Sequence, residues 1–199
     1  LKRIIGLTGG IGTGKTTVSN YLADTYHLPI LDADIYAREA VQPGSPVLNR
    51  IIARYGVEVQ FPDRTLNRKR LGEIIFPNPE ERQWLEQQIH PYVRDRIESQ
   101  LSILESPTVI VVIPLLFEAN MTDLVTEIWV VCCSVEQQIQ RIRERDRLSL
   151  EQTQSRLNSQ LPLAEKAARA DVVLDNSSTR DSLLQQVDRA LMRTRTNDK

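Results

Sequence analysis

The chain has 199 residues, enough for one domain with a real core and small insertions. Its 25 Lys and Arg balance 26 Asp and Glu, so no global field invites nucleic acid or an anionic membrane, and a monomer or weak homo-oligomer is expected. No apolar run reaches the length of a membrane span; the longest, residues 108–117, is strand-sized.

Residues 3–7 read as a short buried strand, and the chain enters it at once, so no signal peptide is expected. The next segment, Gly9-Gly10-Ile11-Gly12-Thr13-Gly14-Lys15-Thr16-Thr17, satisfies G-x-x-x-x-G-K-[ST]. Successive backbone N–H groups must curl around nucleotide phosphates there, which needs glycines where a Cβ would block the approach. Five of the eight glycines lie in residues 6–14, so a chance glycine-rich turn is a poor explanation. Gly10, Gly12, Thr13, Gly14, Lys15, Thr16 and Thr17 are the expected nucleotide contacts. Lys15 is expected to reach the β- and γ-phosphates and Thr16 to ligate Mg²⁺. Val18, Tyr21, Leu22 and Tyr26 then recur at helical spacing, so the loop opens onto a helix N-terminus that favours an anion.

A second strand, residues 28–31, ends at Asp32-Ala33-Asp34. Asp34 fits a general base for an alcohol acceptor or, equally on spacing, a helix N-cap. Asp32 falls on the other side of a continuing strand and is assigned to magnesium through water, or to the core of the turn. Helical patterns follow through Ile35 to Ala40 and Val47 to Tyr55, then an irregular excursion or small hairpin at 56–66, then a helix from Asn67 to Phe76. Asn78-Pro79-Glu80-Glu81 predicts a helix start with Asn78 as N-cap and Glu81 at the third position. Pro91, after His90, should kink or break that helix, and a further helical segment runs to about residue 104.

The third strand is residues 108–113 and the fourth 127–133. Neighbouring Cys132 and Cys133 face opposite sides of a strand, which makes a disulfide between them unsuitable and a reduced, cytoplasmic protein the expectation. Ser134 with Gln137, and Ser149 with Gln152, predict capped helices. Asp171 to Asn176 is the fifth strand and its exit, Ser178 with Asp181 opens the last helix, and the residues from about Arg193 look frayed. Apolar strands alternating with helices predict a parallel α/β sheet covered on both faces. The helical stretch 34–104 is too long for an ordinary crossover and reads as an inserted substrate-binding subdomain.

Among phosphate-loop proteins, a GTPase switch would need a D-x-x-G after strand three and an N-K-x-D-like base reader; the sequence holds neither. A motor ATPase would usually end strand three in an acidic residue, whereas this one ends Ile113-Pro114. The carboxylates sit at the end of strand two, taken to lie next to the phosphate loop, which suits a kinase acting on a bound alcohol.

The blocks Thr8 to Val18, Asp32-Ala33-Asp34, Leu66-Asn67-Arg68 with Ile75-Phe76, and Asn78-Pro79-Glu80 occur in order. So do Ile89-His90-Pro91, Ile113 to Glu118 and Val172 to Asn176. Together they resemble the dephospho-coenzyme A kinases, from the first strand to about residue 192. The resemblance implies ATP as donor, Mg²⁺, dephospho-coenzyme A as acceptor through its ribose 3′-hydroxyl, and a phosphate-loop core like that of the nucleoside monophosphate kinases. That fold class is α/β with a five-stranded parallel sheet, a helical insertion at 34–104 and a lid at 135–169; the core comprises 1–33, 105–134 and 170–199.

The resemblance assigns catalysis to Asp34, Lys15 and Arg141. It gives Arg141 and Arg147 to the nucleotide, although at about 100° per residue Arg141 shares a face with Arg145 and not with Arg147. A helix ending near Asp146 would leave Arg147 in the lid turn. Asn176 is either an adenine reader or a turn residue. Arg68 and His90 are assigned to the acceptor, against a solvated charge and a kinked-helix residue. Phe76, Leu115, Phe117 and Glu118 complete the substrate set, with core packing as the alternative for the apolar members. Another small-molecule or nucleoside monophosphate kinase, and a non-catalytic nucleotide-binding regulator, are the alternatives.

Overall fold

The computed structural model describes residues 2–75 and 77–193. In chain order its elements are β1 (Arg3–Gly9), α1 (Lys15–Tyr26), β2 (Ile30–Asp32), α2 (Ala33–Glu39), α3 (Pro46–Tyr55), α4 (Arg68–Ile75) and α5 (Pro79–Ile103). They continue with β3 (Thr108–Val112), β4 (Glu127–Cys132), α6 (Val135–Asp146), α7 (Leu150–Asn158), α8 (Leu163–Ala168), β5 (Val172–Asp175) and α9 (Arg180–Met192). The chain divides into two compact units, one formed by residues 1–31 with 105–199 and one by 32–104.

The first unit is built on a five-stranded parallel sheet in the order β2-β3-β1-β4-β5. Register explains its core. Ile5 lies beside Ile110, Leu7 beside Val112 and Trp129, and Val131 beside Leu174, so these side chains line one face. Val18 and Leu22 of α1 and Leu183, Val187 and Ala190 of α9 cover that face. Residues of the opposite parity, Val109, Val111 and Val130, are also fully buried, and α8 packs on β1 and β4. Burial on both faces is why the strands read as unbroken apolar runs. In that order β3 lies between β2 and β1. The residues expected to form a lid, 135–169, belong to the same compact unit as the sheet.

The second unit packs around Val47, Leu48, Ile51, Leu66, Leu71 and Ile75, with Trp84, Leu85, Ile89 and Tyr92 of α5 against them. Ser45 caps α3 through Leu48 N at 3.1 Å, with Pro46 in the first turn. The stretch at 56–66 forms a short 3-10 turn at Val57–Val59 and a minimal hairpin closed by the Gln60–Leu66 bridge.

Three local expectations change. Asn78 caps α5, but its side chain accepts from Glu80 N, and Glu81 closes no capping box because its carboxylate is taken by Arg54 and Tyr55. Helix α5 does not break at Pro91; it runs through to Ile103. A proline removes one backbone bond, and here the helix is held on both sides of it, by Ile89 and Tyr92 on the core and by buried Val93 and Ile97. The last helix is capped by Thr179, through Ser182 N at 3.2 Å, and not by Ser178. The expected frayed tail beyond Arg193 lies outside the described residues.

Candidate functional site

The phosphate loop is the turn between β1 and α1. Gly9, Gly12 and Gly14 all have positive φ, at 144°, 76° and 104°. Each is also packed against a neighbour: a Cβ on Gly9 would strike Val131 O, and one on Gly14 would strike the Asn176 amide nitrogen. Gly14 is the N-cap of α1 and no side chain caps it, so the positive end of the helix dipole stands at the loop, where it favours an anion. Lys15 Nζ lies 2.8 Å from Gly10 O and 3.2 Å from Gly9 O, which holds its charge over the loop. Thr16 and Thr17 follow Lys15 in the first turn of the helix, with Thr16 exposed.

Side chains from two later elements converge on this loop. Arg141 of α6 donates to Gly12 O at 3.4 Å, to Thr13 O at 3.5 Å and to Asn176 O at 3.0 Å. Asn176, at the exit of β5, donates its amide to Thr13 O at 2.8 Å. Its side chain therefore braces the loop in this structure. Thr13 is fully buried and ties its own hydroxyl to Gly10 O at 2.9 Å. Arg141, Asn176 and the loop thus form one connected constellation.

Arg147 lies at the far end of the same helix. It is the C-cap of α6, in the left-handed region at φ 53°, and lines a groove of about 620 Å³ with Arg143, Glu136 and Gln140. Arg141 faces the phosphate loop, and a 3.6-residue period cannot put both on one side. Arg145 also leaves the site, pairing with Asp146 at 2.7 Å.

After β3, Leu115 is half-buried and Phe117 buried, with Arg169 4.2 Å above the Phe117 ring. Glu118 is engaged by the protein: its Oε1 accepts from Lys166 Nζ at 2.8 Å and from Leu161 N at 2.9 Å.

In the second unit, Asp32 caps α2 by accepting from Asp34 N at 2.8 Å. The capping role considered for Asp34 therefore falls to Asp32, and Asp34 is an exposed first-turn residue of α2. Arg68 opens α4; partial desolvation and the neighbouring charge of Arg38 both work against its charged form. His90 is half-buried in α5, and desolvation, partly offset by the charge of Glu86, lowers its pKa. Phe76 lies outside the described residues.

No cluster of three or more His, Cys, Asp or Glu suited to a metal exists among the described residues. The exposed Thr16 hydroxyl is an oxygen donor of the kind that Mg²⁺ accepts alongside phosphate oxygens and water. No described helix is long and apolar enough to cross a membrane. Both cysteines are free thiols, with Cys132 pushed up to about 11, chiefly by burial.

Sequence reasoning missed Gln138, Gln160 and Lys166. Gln138 Nε2 donates to Ile11 O at 2.8 Å, and Gln160 Oε1 accepts from Ile11 N at 3.1 Å. A glutamine in a polar helix and a lysine after an Ala-Glu pair carry no local signal of such contacts.

A family model described as dephospho-CoA kinase matches residues 3–182. The dephospho-CoA kinase of Trichormus variabilis is 65% identical over 190 residues, covering 96% of this chain and 97% of its own. A crystal structure of TT1252 from Thermus thermophilus superposes with a TM-score of 0.81 at 34% identity, covering 96% of each chain. The dephospho-CoA kinase from Campylobacter jejuni does so at 0.69 and 29% identity, also over 96% of each chain. With its phosphate loop braced by Arg141 and Asn176 on a five-stranded parallel sheet, this chain belongs to the dephospho-CoA kinase family.

Proposed function

We propose that this protein transfers the γ-phosphate of ATP to the ribose 3′-hydroxyl of dephospho-coenzyme A, giving coenzyme A and ADP, the last step of coenzyme A biosynthesis. The observation that carries this reading is the family match, which runs from β1 into α9 and so includes the phosphate loop and both units.

The roles follow from charge and position. The loop N–H groups and the N-terminus of α1 bind the phosphates. Lys15 holds the β- and γ-phosphates, and Arg141, already anchored on the loop, adds a second cation against charge that develops on the transferring group. Asp34 accepts the proton of the 3′-hydroxyl as its oxygen bonds to the γ-phosphorus and the bond to the β-phosphate oxygen breaks. Mg²⁺, held by the Thr16 hydroxyl with Asp32 through water, would neutralise phosphate charge. Arg68, His90, Phe76, Leu115 and Phe117 bind the acceptor, with Arg68 matched to its phosphates, and Glu118, engaged by Lys166 and Leu161 N, supports that set from behind. Residues 32–104 form the acceptor subdomain and 135–169 the lid, whose Arg147 adds a nucleotide contact. Asn176 contributes to the ATP site through the loop it braces.

The test is an incubation of ATP with dephospho-coenzyme A followed by phosphorus NMR and mass spectrometry of the product. A new 3′-phosphomonoester with ADP formed in equal amount is expected. ATP hydrolysis alone, or phosphate on another position, would overturn the assignment.

A further inference from the structure

Lys166 is the one fully buried cation among the described residues, and no catalytic role above uses it. A buried ammonium is costly unless its environment compensates it. Here Nζ meets Glu118 Oε1 at 2.8 Å and Pro114 O at 3.1 Å. The other oxygen, Glu118 Oε2, is buried with no hydrogen-bond partner, so the carboxylate depends on what its first oxygen finds. That first oxygen also accepts from Leu161 N. Leu161 follows Gln160, whose side-chain carbonyl accepts from Ile11 N at 3.1 Å.

Ile11 has a matching contact at its carbonyl, where the buried Gln138 donates to Ile11 O. Gly10 leaves the room for that amide, since a Cβ there would collide with Gln138 Nε2. Both backbone groups of Ile11 are thus satisfied by side-chain amides, and one of those amides belongs to Gln160, whose neighbour Leu161 is held by Glu118 through its backbone N–H. Pro114 O also accepts from Thr8 Oγ1 at 3.2 Å, directly before the loop. Lys166 therefore touches one support of the loop at its base, Pro114 O, and reaches the other near its tip through Glu118 and Leu161.

We propose that Lys166 is a positioning residue of the phosphate loop, acting through Glu118 and the Gln160–Leu161 segment to fix the Ile11 peptide. It touches neither nucleotide nor acceptor. With the Ile11 N–H and C=O both held, the following N–H groups are presented to phosphate in one arrangement, so no ordering remains to be done on binding. The inference rests on the kinase reading only for its kinetic consequence.

The experiment compares wild type with Lys166→Met/Glu118→Gln, which removes the ion pair without stranding a buried charge, and with Gln160→Leu at the half-buried end of the chain. Amide hydrogen exchange is read on the protein alone, at Ile11 and in β4. The Michaelis constant for ATP and kcat are read with dephospho-coenzyme A saturating. Both variants should speed exchange at Ile11 about tenfold or more, leave β4 amides unchanged, and raise the ATP Michaelis constant several-fold. Equal acceleration in β4 would make the pair a purely structural one and overturn the inference, as would an unchanged Ile11 amide. If the double variant does not fold, Gln160→Leu decides alone: normal Ile11 exchange in it sinks the link. Wild-type enzyme inactive on dephospho-coenzyme A would overturn the functional reading while leaving the exchange result to stand or fall separately.

Discussion

Lys15 and Asp34 show what one side chain can and cannot disclose. Lys15 follows the glycines by motif, and its ammonium rests on two loop carbonyls at the mouth of the phosphate site. Lys15→Ala should leave thermal stability nearly unchanged, because the loop is braced by Arg141, Asn176 and Gln138. Turnover should fall by about 10²–10³-fold or more, since the cation on the transferring phosphate is gone. Near-normal turnover would contradict the role. For Asp34 the local sequence allowed a cap or a base, and the cap is Asp32. Asp34→Asn should therefore bind ATP normally, keep its melting temperature, and lose about 10²-fold or more in kcat because an amide cannot take the proton. Loss of stability with an unchanged rate per folded molecule would return Asp34 to a structural role.

At the scale of elements, capping and ion pairing decide how helices begin. Ser134 and Ser149 form reciprocal capping boxes with Gln137 and Gln152, the pattern their spacing predicts. Glu81 had the same spacing from Asn78 and did something else. Arg54 of α3 donates to it twice, at 2.8 and 2.9 Å, Tyr55 donates at 2.6 Å, and Arg54 lies 4.6 Å over the Trp84 ring. A bidentate arginine outcompetes one backbone N–H for a carboxylate. These partners, Arg54 first, hold the Glu81 carboxyl down to about 2, below its unfolded value near 4.5. A depressed carboxyl stabilises above the unfolded pKa and loses that contribution as pH falls through the folded one. Glu81→Gln should therefore lower the melting temperature by about 2–4 °C at pH 7, a modest shift because the pair is partly solvated. The difference from wild type should shrink between pH 4.5 and about 2. A difference that stayed constant across that window would show that packing, not charge, links α3 to α5.

For the whole molecule the decisive feature is the size of the second unit. Residues 32–104 have their own apolar core, from Val47 to Ile75 with Trp84 and Tyr92, which an ordinary strand-to-strand crossover would not need. A long acceptor offers binding energy far from its reacting hydroxyl, and such energy can be used to hold that hydroxyl in line. Trimming dephospho-coenzyme A to AMP or adenosine should accordingly lower kcat as well as affinity. Specificity constants for those three acceptors, together with shikimate and gluconate, measure this. A preference for any acceptor other than dephospho-coenzyme A would sink the assignment while leaving a kinase.

The fold class and the nucleotide site were legible because their signals are local. Glycines at 9, 12 and 14 are demanded by positive φ within one turn, and apolar runs at 108–112 and 127–132 are demanded by burial on both sheet faces. Strand order was not legible, since pairing joins residues about a hundred positions apart; β3 between β1 and β2 emerges only when the strands assemble. Nor did spacing point to Asp32 as the cap: Asp34 was the capping candidate, and only the backbone geometry gives the bond from Asp34 N to Asp32. Pro91 was expected to kink or break its helix, and the helix continues through it because packing on both sides outweighs one missing hydrogen bond. Gln138, Gln160 and Lys166 acquire meaning wholly from distance in space. An amide or ammonium is polar surface until the fold places a carbonyl, an N–H or a carboxylate within 3.1 Å of it.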